Sequence, residues 1–198
     1  MQRELLYDSV FDSQAHYRRI LDAMARPGEV RELHAPYLSP PDGICPAAAL
    51  VGFALLNGDA SFCAFDDDAV AGYLRENTDG VIAGVSDADF IFMRGETAED
   101  ASVVTLAREG TLSYPEGGAT LVLSVDRLGE PDGAGLTLFL TGPGVALENR
   151  LFVKGLAREI IEEVRRKNAE FPLGVDLVLA DKEGRIACIP RSSKIIVK

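Results

Sequence analysis

The hydrophobic pattern of the chain changes its period several times. Apolar residues spaced three and four apart are typical of amphipathic helices, and they predict helices over 13–25, 47–56, 67–76, a stretch from 98, and 156–168. Shorter runs rich in β-branched or alternating apolar residues predict strands over 29–33, 61–65, 89–93, 120–126, 136–140, 175–180, 185–189 and 195–197. This alternation indicates an α/β protein with a sheet between helical layers.

Local signals predict how some of these elements end or pair. A proline-rich loop over 36–46 precedes the second helix, and Thr97 with Asp100 has the spacing of a capping box at the fourth. The segment GEPDGAG, residues 129–135, has the glycines and proline of a turn. It therefore predicts a hairpin between the strands on either side of it.

The last predicted helix has the most regular pattern. Its apolar face carries Leu156, Ile160, Ile161 and Val164. On the opposite face, Glu162 with Arg166 and Glu163 with Lys167 are spaced to pair across one turn. We therefore expect one face to be buried and the other to be in contact with water.

Length and composition favour one soluble globular domain over residues 1–198. The chain is 47% hydrophobic and 26% charged, without a repeat or a shift in composition. The charged N-terminal segment does not resemble a secretory signal, and the longest apolar stretch, 47–56, is too short to cross a bilayer. A cytoplasmic location is expected. The formal charge of -11 disfavours nucleic acid as a partner.

Histidines and cysteines provide no clear metal or catalytic site. His16 lies on a predicted helix and His34 in a loop, without an HExxH motif or a ligand cluster. Cys45, Cys63 and Cys188 have no short ligand spacing, and their odd number argues against a closed disulfide framework. We expect ordinary polar histidines, buried reduced thiols and no metal.

Two other motifs have a structural interpretation beside a functional one. Gly142-Pro143-Gly144 follows a predicted strand, but without a third glycine the dinucleotide-binding fingerprint fails, and a tight turn is favoured. Gly142 and Gly144 remain candidate anion contacts. Asp66–Asp68 could hold a metal, but at the start of a helix the negative charges complement the helix dipole, and this interpretation is preferred.

The strongest candidate for binding chemistry lies near the C-terminus. Arg191, Ser192, Ser193 and Lys194 place a guanidinium, two hydroxyls and an ammonium just after a strand. Such a group can bind a phosphate or carboxylate. Alternatively, Arg191 pairs with an acidic residue and the serines satisfy the backbone of a turn. No catalytic residue can be assigned.

Five segments in order resemble the PhnH family of carbon-phosphorus lyase subunits. They are DAMARPGEV, GTLSYPEGGATLVLSV, LTGPGV, NAEFPLGVDLVLAD and ACIPRSSKI, and the resemblance extends from about Phe11 to the C-terminus. Where the family carries threonines and a second arginine after its Pro-Arg pair, this chain has Ser192, Ser193 and Lys194. The hydroxyls and the charge are kept, but lysine lacks the planar fork of arginine.

The resemblance implies a fold, a set of partners and an activity. The fold would be a single-domain three-layer α/β/α sandwich with a mixed sheet, similar to pyridoxal-phosphate-dependent transferases but without that cofactor. The partners would be PhnG, PhnI and PhnJ, with a homodimer in isolation. The assembly displaces adenine from a nucleoside triphosphate with an alkylphosphonate and later breaks the carbon-phosphorus bond on an iron-sulfur subunit.

Two alternatives remain beside a subunit of this assembly. One is a free-standing enzyme of transferase-like fold with a small-anion site near Arg191. The other is a regulator that binds a phosphonate or a nucleotide, for which the isolated protein would need a measurable affinity.

Overall fold

The computed structural model describes residues 6–34, 38–131 and 133–198. The helices are α1 (Phe11–Ala25), α2 (Pro46–Leu55), α3 (Asp68–Asn77), α4 (Ala101–Leu106) and α5 (Arg158–Lys167). The strands are β1 (Arg31–Glu32), β2 (Ser61–Ala64), β3 (Val81–Ile82), β4 (Phe90–Arg94), β5 (Thr120–Ser124), β6 (Arg127–Gly129), β7 (Leu136–Thr141), β8 (Asn149–Lys154), β9 (Asp176–Ala180), β10 (Arg185–Ile189) and β11 (Lys194–Val197). The predicted mixed α/β character is confirmed.

The larger sheet has seven strands in the order β1-β10-β9-β5-β4-β2-β3. Its centre is parallel, from β3 through β2, β4 and β5 to β9. β10 and β1 extend it in antiparallel fashion. The sheet is therefore mixed, with the carboxyl ends of its parallel strands at one edge.

Alternation along the central strands separates two cores. On β5, Leu121 and Leu123 face one core and Val122 faces the other. The Val122 core is completed by apolar residues of α1, α2 and α3. The opposite core contains Val103 of α4, Ile160 of α5 and the inner face of a second sheet. Side chains that alternate between two apolar surroundings explain the continuous apolar runs seen in β4, β5 and β9.

The second sheet corrects the predicted hairpin. Its four antiparallel strands have the order β11-β7-β8-β6, so β5 and β7 belong to different sheets and do not pair. The chain leaves β5 and forms β6, which pairs with β8. The segment 129–135 thus connects β6 to β7, which belong to one sheet but are not neighbours in it. Asp132 lies outside the described residues. β3, β6 and β8 were not predicted.

Helix boundaries agree with the sequence except at α4. The predicted cap was Thr97, but α4 begins at Ala101 after a hydrogen-bonded turn. Half of the capping box is present, since the Thr97 N–H donates to Asp100 Oδ2 at 3.0 Å. Of the predicted proline-rich loop, residues 36 and 37 lie outside the described ranges. No helix in those ranges combines the length and the apolar character needed to cross a bilayer.

Candidate functional site

Arg191 lies at the amino-terminal edge of the parallel strands, beside the first residue of β9. Its Nη2 donates to Asp176 Oδ2 at 2.6 Å, and its backbone N–H donates to Asp176 Oδ1 at 2.7 Å. Nη1 donates to the Pro115 carbonyl at 2.7 Å and Nη2 to the Gly118 carbonyl at 3.2 Å. We call the contact between Arg191 and Asp176, together with the Pro115 and Gly118 carbonyls that Arg191 also contacts, the Arg191 ion pair.

The Arg191 ion pair joins three segments that are distant in the sequence. The turn at 115–118, the start of β9 and the connection from β10 to β11 meet there. Space is limited, because a Cβ at Gly118 would lie 2.2 Å from Arg191 Nη1 and 2.3 Å from the Gly174 carbonyl. The Arg191 side chain is only 13% exposed. Glycine at 118 thus lets the guanidinium approach the backbone closely.

The cleft beside Arg191 is acidic. It has a volume of about 680 Å³ and is lined by the carboxylates of Asp59, Asp89, Glu116 and Asp176. The pKa of Asp89 would be raised by burial, but hydrogen bonds from Ser61 and the Arg108 guanidinium outweigh burial and hold it below its usual value. Deprotonated carboxylates repel an anion. The geometry of Arg191 therefore favours the ion-pair interpretation, and its contact with an anionic ligand stays a prediction.

The other candidate residues lie near Arg191 in sequence but have separate surroundings. Ser193 is buried in a turn, with its N–H donating to the Pro190 carbonyl at 2.9 Å, and its hydroxyl has no partner among the described residues. Ser192 is half-buried. Lys194 is exposed and begins β11 opposite Thr141. The contact of these residues with an anionic ligand therefore stays a prediction.

Gly142 and Gly144 form a tight turn after β7. Both have positive φ angles, 128° and 82°, and the Val145 N–H donates to the Gly142 carbonyl at 3.1 Å. A Cβ at Gly142 would lie 3.1 Å from the Ser192 carbonyl. The fold therefore brings this turn to the 192–194 segment. The structure supports the turn interpretation, and an anion contact there stays a prediction.

A second cleft lies at the carboxyl ends of the parallel strands. It has a volume of about 400 Å³, and its lining includes Arg94 after β4, Ser124 at the end of β5, Lys182 beyond β9 and Cys45 before α2. The Cys45 N–H donates to Ser124 Oγ at 3.1 Å. Ligands of open α/β sheets usually bind at this edge.

The charges of the second cleft are largely compensated. Arg94 Nη2 donates to the Asp42 carbonyl at 2.7 Å, and its Nη1 lies 3.7 Å from Glu96. Lys182 Nζ lies 3.4 Å from Asp126. Burial raises the pKa of the Cys45 thiol, which keeps it protonated at neutral pH. The cleft therefore has no activated nucleophile at Cys45.

Sequence reasoning did not find this second cleft. Its residues come from strand ends that are far apart in the chain, and none forms a motif. The available signal was positional, since Arg94 and Ser124 end consecutive parallel strands and such ends share one edge.

The remaining polar residues have structural roles. His16 Nε2 lies 3.0 Å from the His34 carbonyl and Tyr7 Oη lies 3.4 Å from His16 Nδ1, so His16 links α1 to neighbouring segments. Asp67 caps α3 by accepting from the Val70 N–H at 2.9 Å, which confirms the helix-start interpretation. No group of His, Cys, Asp and Glu within the described ranges is arranged to hold a metal.

The expectation of three buried reduced thiols is confirmed only in part. All three are free thiols, as predicted, but only Cys188 is fully buried. Cys45 and Cys63 are partly exposed, because they lie at the end of a loop and on the short strand β2.

Comparison with known proteins covers nearly the entire chain. The chain is 34% identical over 187 residues to the "Putative C-P lyase subunit protein HtxG" of Stutzerimonas stutzeri, covering 93% of this chain and 86% of that protein. It is 28% identical over 197 residues to the "Alpha-D-ribose 1-methylphosphonate 5-triphosphate synthase subunit PhnH" of Rhizobium meliloti, covering 95% and 92%. The sequence model of PhnH, described as "Bacterial phosphonate metabolism protein", matches residues 5–196. The chain therefore belongs to the PhnH family.

Proposed function

We propose that this chain is a subunit of a carbon-phosphorus lyase assembly and acts at the ribose 1-methylphosphonate 5-triphosphate synthase step of organic phosphonate breakdown. The observation that carries the proposal is the family match over residues 5–196. Two relatives aligned over most of their length have names that describe subunits of such a system.

The chemistry of the clefts supports a role with partners. Arg191 is engaged by Asp176 and two carbonyls, and its cleft is lined by four carboxylates. In the second cleft, the charges of Arg94 and Lys182 face acidic neighbours. Neither cleft presents an evident nucleophile with its base. The subunit then contributes to a site that other chains complete.

Partners and finer architecture follow from the same family. The proposed partners are subunits of the PhnG, PhnI and PhnJ types, and the isolated chain forms a homodimer in the cytoplasm. The chain acts as one domain. Helices α1–α3 and helices α4 and α5 contribute to two different cores of the larger sheet, which supports a three-layer arrangement like that of pyridoxal-phosphate-dependent transferases, without the cofactor.

A second candidate is a free-standing enzyme of transferase-like fold, or a phosphonate- or nucleotide-binding protein, with an anion site near Arg191. One observation favours it: the buried Ser193 hydroxyl has no hydrogen-bond partner in the described ranges. Because this oxygen is buried, a ligand oxygen would satisfy it only if binding opens the turn at Ser193. Titration calorimetry of the isolated chain with methylphosphonate and with ATP tests this candidate, which requires binding that Ser193→Ala weakens.

The subunit proposal is tested by co-purification and growth. A tagged copy of the chain, expressed with PhnG-, PhnI- and PhnJ-type subunits from the same organism, should retain them through affinity and size-exclusion steps. Deleting its gene should abolish growth on methylphosphonate as the phosphorus source but not on inorganic phosphate. Normal growth of the deletion strain on methylphosphonate would contradict the proposal.

A further inference from the structure

The outer face of the four-stranded sheet is a separate feature of the molecule. Along β7, Leu138 and Leu140 are buried in the core, so Thr137, Phe139 and Thr141 lie on the opposite face. On β8, β11 and β6, Leu151, Val153, Ile195 and Leu128 are buried in the same core. The outward-facing Phe152 of β8 is also buried, with 4% exposed, and the chain at Gly135 lies against its ring. The other residues between the core positions form one outward surface.

This surface concentrates positive charge. The cations on it are Arg127 on β6, Arg150 and Lys154 on β8, Lys194 at the start of β11 and Lys198 directly after its end. The chain has only five lysines, and three of them are here. Arg150 lies 3.4 Å from Glu148, whereas none of the ion pairs among the described residues involves these three lysines. In a chain of net charge -11, such a concentration separates this face from the rest of the surface.

An apolar centre lies between these cations. The Lys198 ammonium is 4.6 Å and the Arg150 guanidinium 5.3 Å from the ring centroid of Phe139. Ile196, the neighbour of Phe139 on β11, is 55% exposed. An apolar centre with charged residues around it is the usual composition of a protein–protein contact surface.

The arrangement distinguishes among possible occupants. The cations of β8 and those of β11 lie on strands two positions apart, about 10 Å, and Lys194 and Lys198 are about 13 Å apart along the direction of β11. This spread suits a broad surface better than one phosphate group. The net charge of -11 disfavours a nucleic acid backbone.

A second copy of the chain is also disfavoured on this face. In a twofold dimer the same patch is used on both subunits, so cations would meet cations. Contact between this face and an acidic region of another copy would be head-to-tail, so it would build rings or open filaments and not a twofold dimer. The charge pattern therefore favours a different protein with an acidic surface.

We infer that the outer face of the four-stranded sheet, with Arg150, Lys154, Lys194 and Lys198 around Phe139, is a docking surface for an acidic region of another subunit of the assembly. The inference rests on the proposed function, because it names a subunit of that assembly as the occupant. It also assigns Lys194 to this face and not to a ligand site around Arg191.

Zero-length cross-linking tests the contact directly. A carbodiimide joins a lysine amine to a carboxylate with loss of water, so it reports only on amines and acids already in contact. In the purified complex, Lys154, Lys194 or Lys198 should be linked to Asp or Glu residues of another subunit. Lys182 is the internal control, because it is 69% exposed but lies beside Asp126, and its links should stay within the chain.

Charge reversal measures the contribution of the face. We expect Arg150→Glu with Lys154→Glu to weaken capture of the other subunits about tenfold at low ionic strength, with a smaller difference at high salt. The matched control is Arg18→Glu with Arg19→Glu, which makes the same charge change on the exposed side of α1. A second variant, Lys194→Gln with Lys198→Gln, tests the other side of the face, and thermal unfolding verifies that each variant is folded.

The outcomes separate this inference from the proposed function. If the wild-type chain captures no other subunit, both are overturned. If the wild-type chain and both face variants capture them equally, or if the α1 control is weakened as much, only the docking surface is overturned. Lysine links from this face to a second copy of the chain, or to nucleic acid, would also overturn it.

Discussion

At the scale of single residues, Arg191 shows how one side chain can join distant segments. Its guanidinium contacts the Asp176 carboxylate and the carbonyls of Pro115 and Gly118. Hydrogen bonds between charged groups are stronger than those between neutral groups, and burial limits competition from water. The ion pair therefore stabilises the packing of the 115–118 turn against β9.

Arg191→Ala is expected to lower the free energy of unfolding by about 2–3 kcal/mol, because Asp176 and two carbonyls lose a charged donor. Urea denaturation monitored by circular dichroism measures the loss. Arg166→Ala is the control: Arg166 is 74% exposed and pairs with Glu163 at the surface, so its loss should be under about 1 kcal/mol. Arg191→Ala with unchanged stability but abolished phosphonate-dependent growth would instead indicate a ligand or partner contact.

Gly118→Ala is expected to lower the free energy of unfolding by about 1–3 kcal/mol through overpacking. The added Cβ would lie 2.2 Å from Arg191 Nη1 and 2.3 Å from the Gly174 carbonyl, so the ion pair must shift. Gly58→Ala is the matched control, since nothing lies within 4 Å of its Cβ position. Equal stability of the two alanine variants would show that the turn adapts without loss.

At the scale of elements, α1 depends on a buried histidine for part of its attachment. His16 is 4% exposed and contacts the His34 carbonyl, with Tyr7 on its other side. Burial lowers the pKa of His16 from its ordinary 6.5, although the His34 carbonyl acts in the opposite direction. The folded state therefore favours the neutral imidazole.

The free energy of unfolding is expected to fall as the pH decreases below 6.5, because the unfolded chain binds a proton at His16 that the folded chain resists. The slope is at most about 1.4 kcal/mol per pH unit for one group. Urea denaturation at pH values above and below 6.5 measures it. His16→Gln should reduce this pH dependence, and His34→Gln, at an exposed position, should keep it. Identical slopes for wild type and His16→Gln would contradict the assignment.

The α5 helix shows how neighbouring elements redirect surface pairs. The spacing predicted that Glu162 pairs with Arg166 and Glu163 with Lys167. In the structure, Glu162 lies 4.0 Å from Arg158, while Glu163 contacts Arg166. Lys167 Nζ donates to the Thr105 carbonyl of α4 at 2.9 Å. Exposed pairs on a helix differ by only a few tenths of a kcal/mol, so contacts with α4 are sufficient to select among them.

At the scale of the whole molecule, the two sheets separate surfaces of different character. The larger sheet has the acidic Arg191 cleft at one edge, whereas the smaller sheet exposes Arg150, Lys154, Lys194 and Lys198. A chain in a multi-subunit assembly needs several distinct contact surfaces, and charge makes these surfaces selective.

The isolated chain is expected to be a homodimer at micromolar concentration, as the family resemblance implies. Because like charges would meet, the dimer should not use the outer face of the smaller sheet. Light scattering coupled to size exclusion should therefore give a dimer for wild type and for Arg150→Glu with Lys154→Glu. A monomer throughout the micromolar range would contradict the dimer, and loss of the dimer only in the variant would place it on the cationic face.

The sequence by itself determined the features that depend on local periodicity and turn chemistry. Helices α1, α2, α3 and α5 and strands β2, β4, β5 and β9 of the parallel centre follow from the spacing of apolar residues, which are buried on one or two sides of each element. The family also followed from the sequence, because five segments in a fixed order identify a chain even where each segment alone is unspecific.

Only the tertiary structure decided the pairing of strands and the partners of charged residues. The turn at 129–135 resembles a hairpin, yet β6 pairs with β8 and β7 lies in a different sheet from β5, because packing of both sheets around one core determines their order. The sequence around Arg191 allows two partners, an anionic ligand or an acidic residue of the chain. Its partner is Asp176, which lies 15 positions away and reaches it only when β9 and β10 pair. Local sequence determines where a side chain can point, but the other half of a contact comes from elsewhere in the chain.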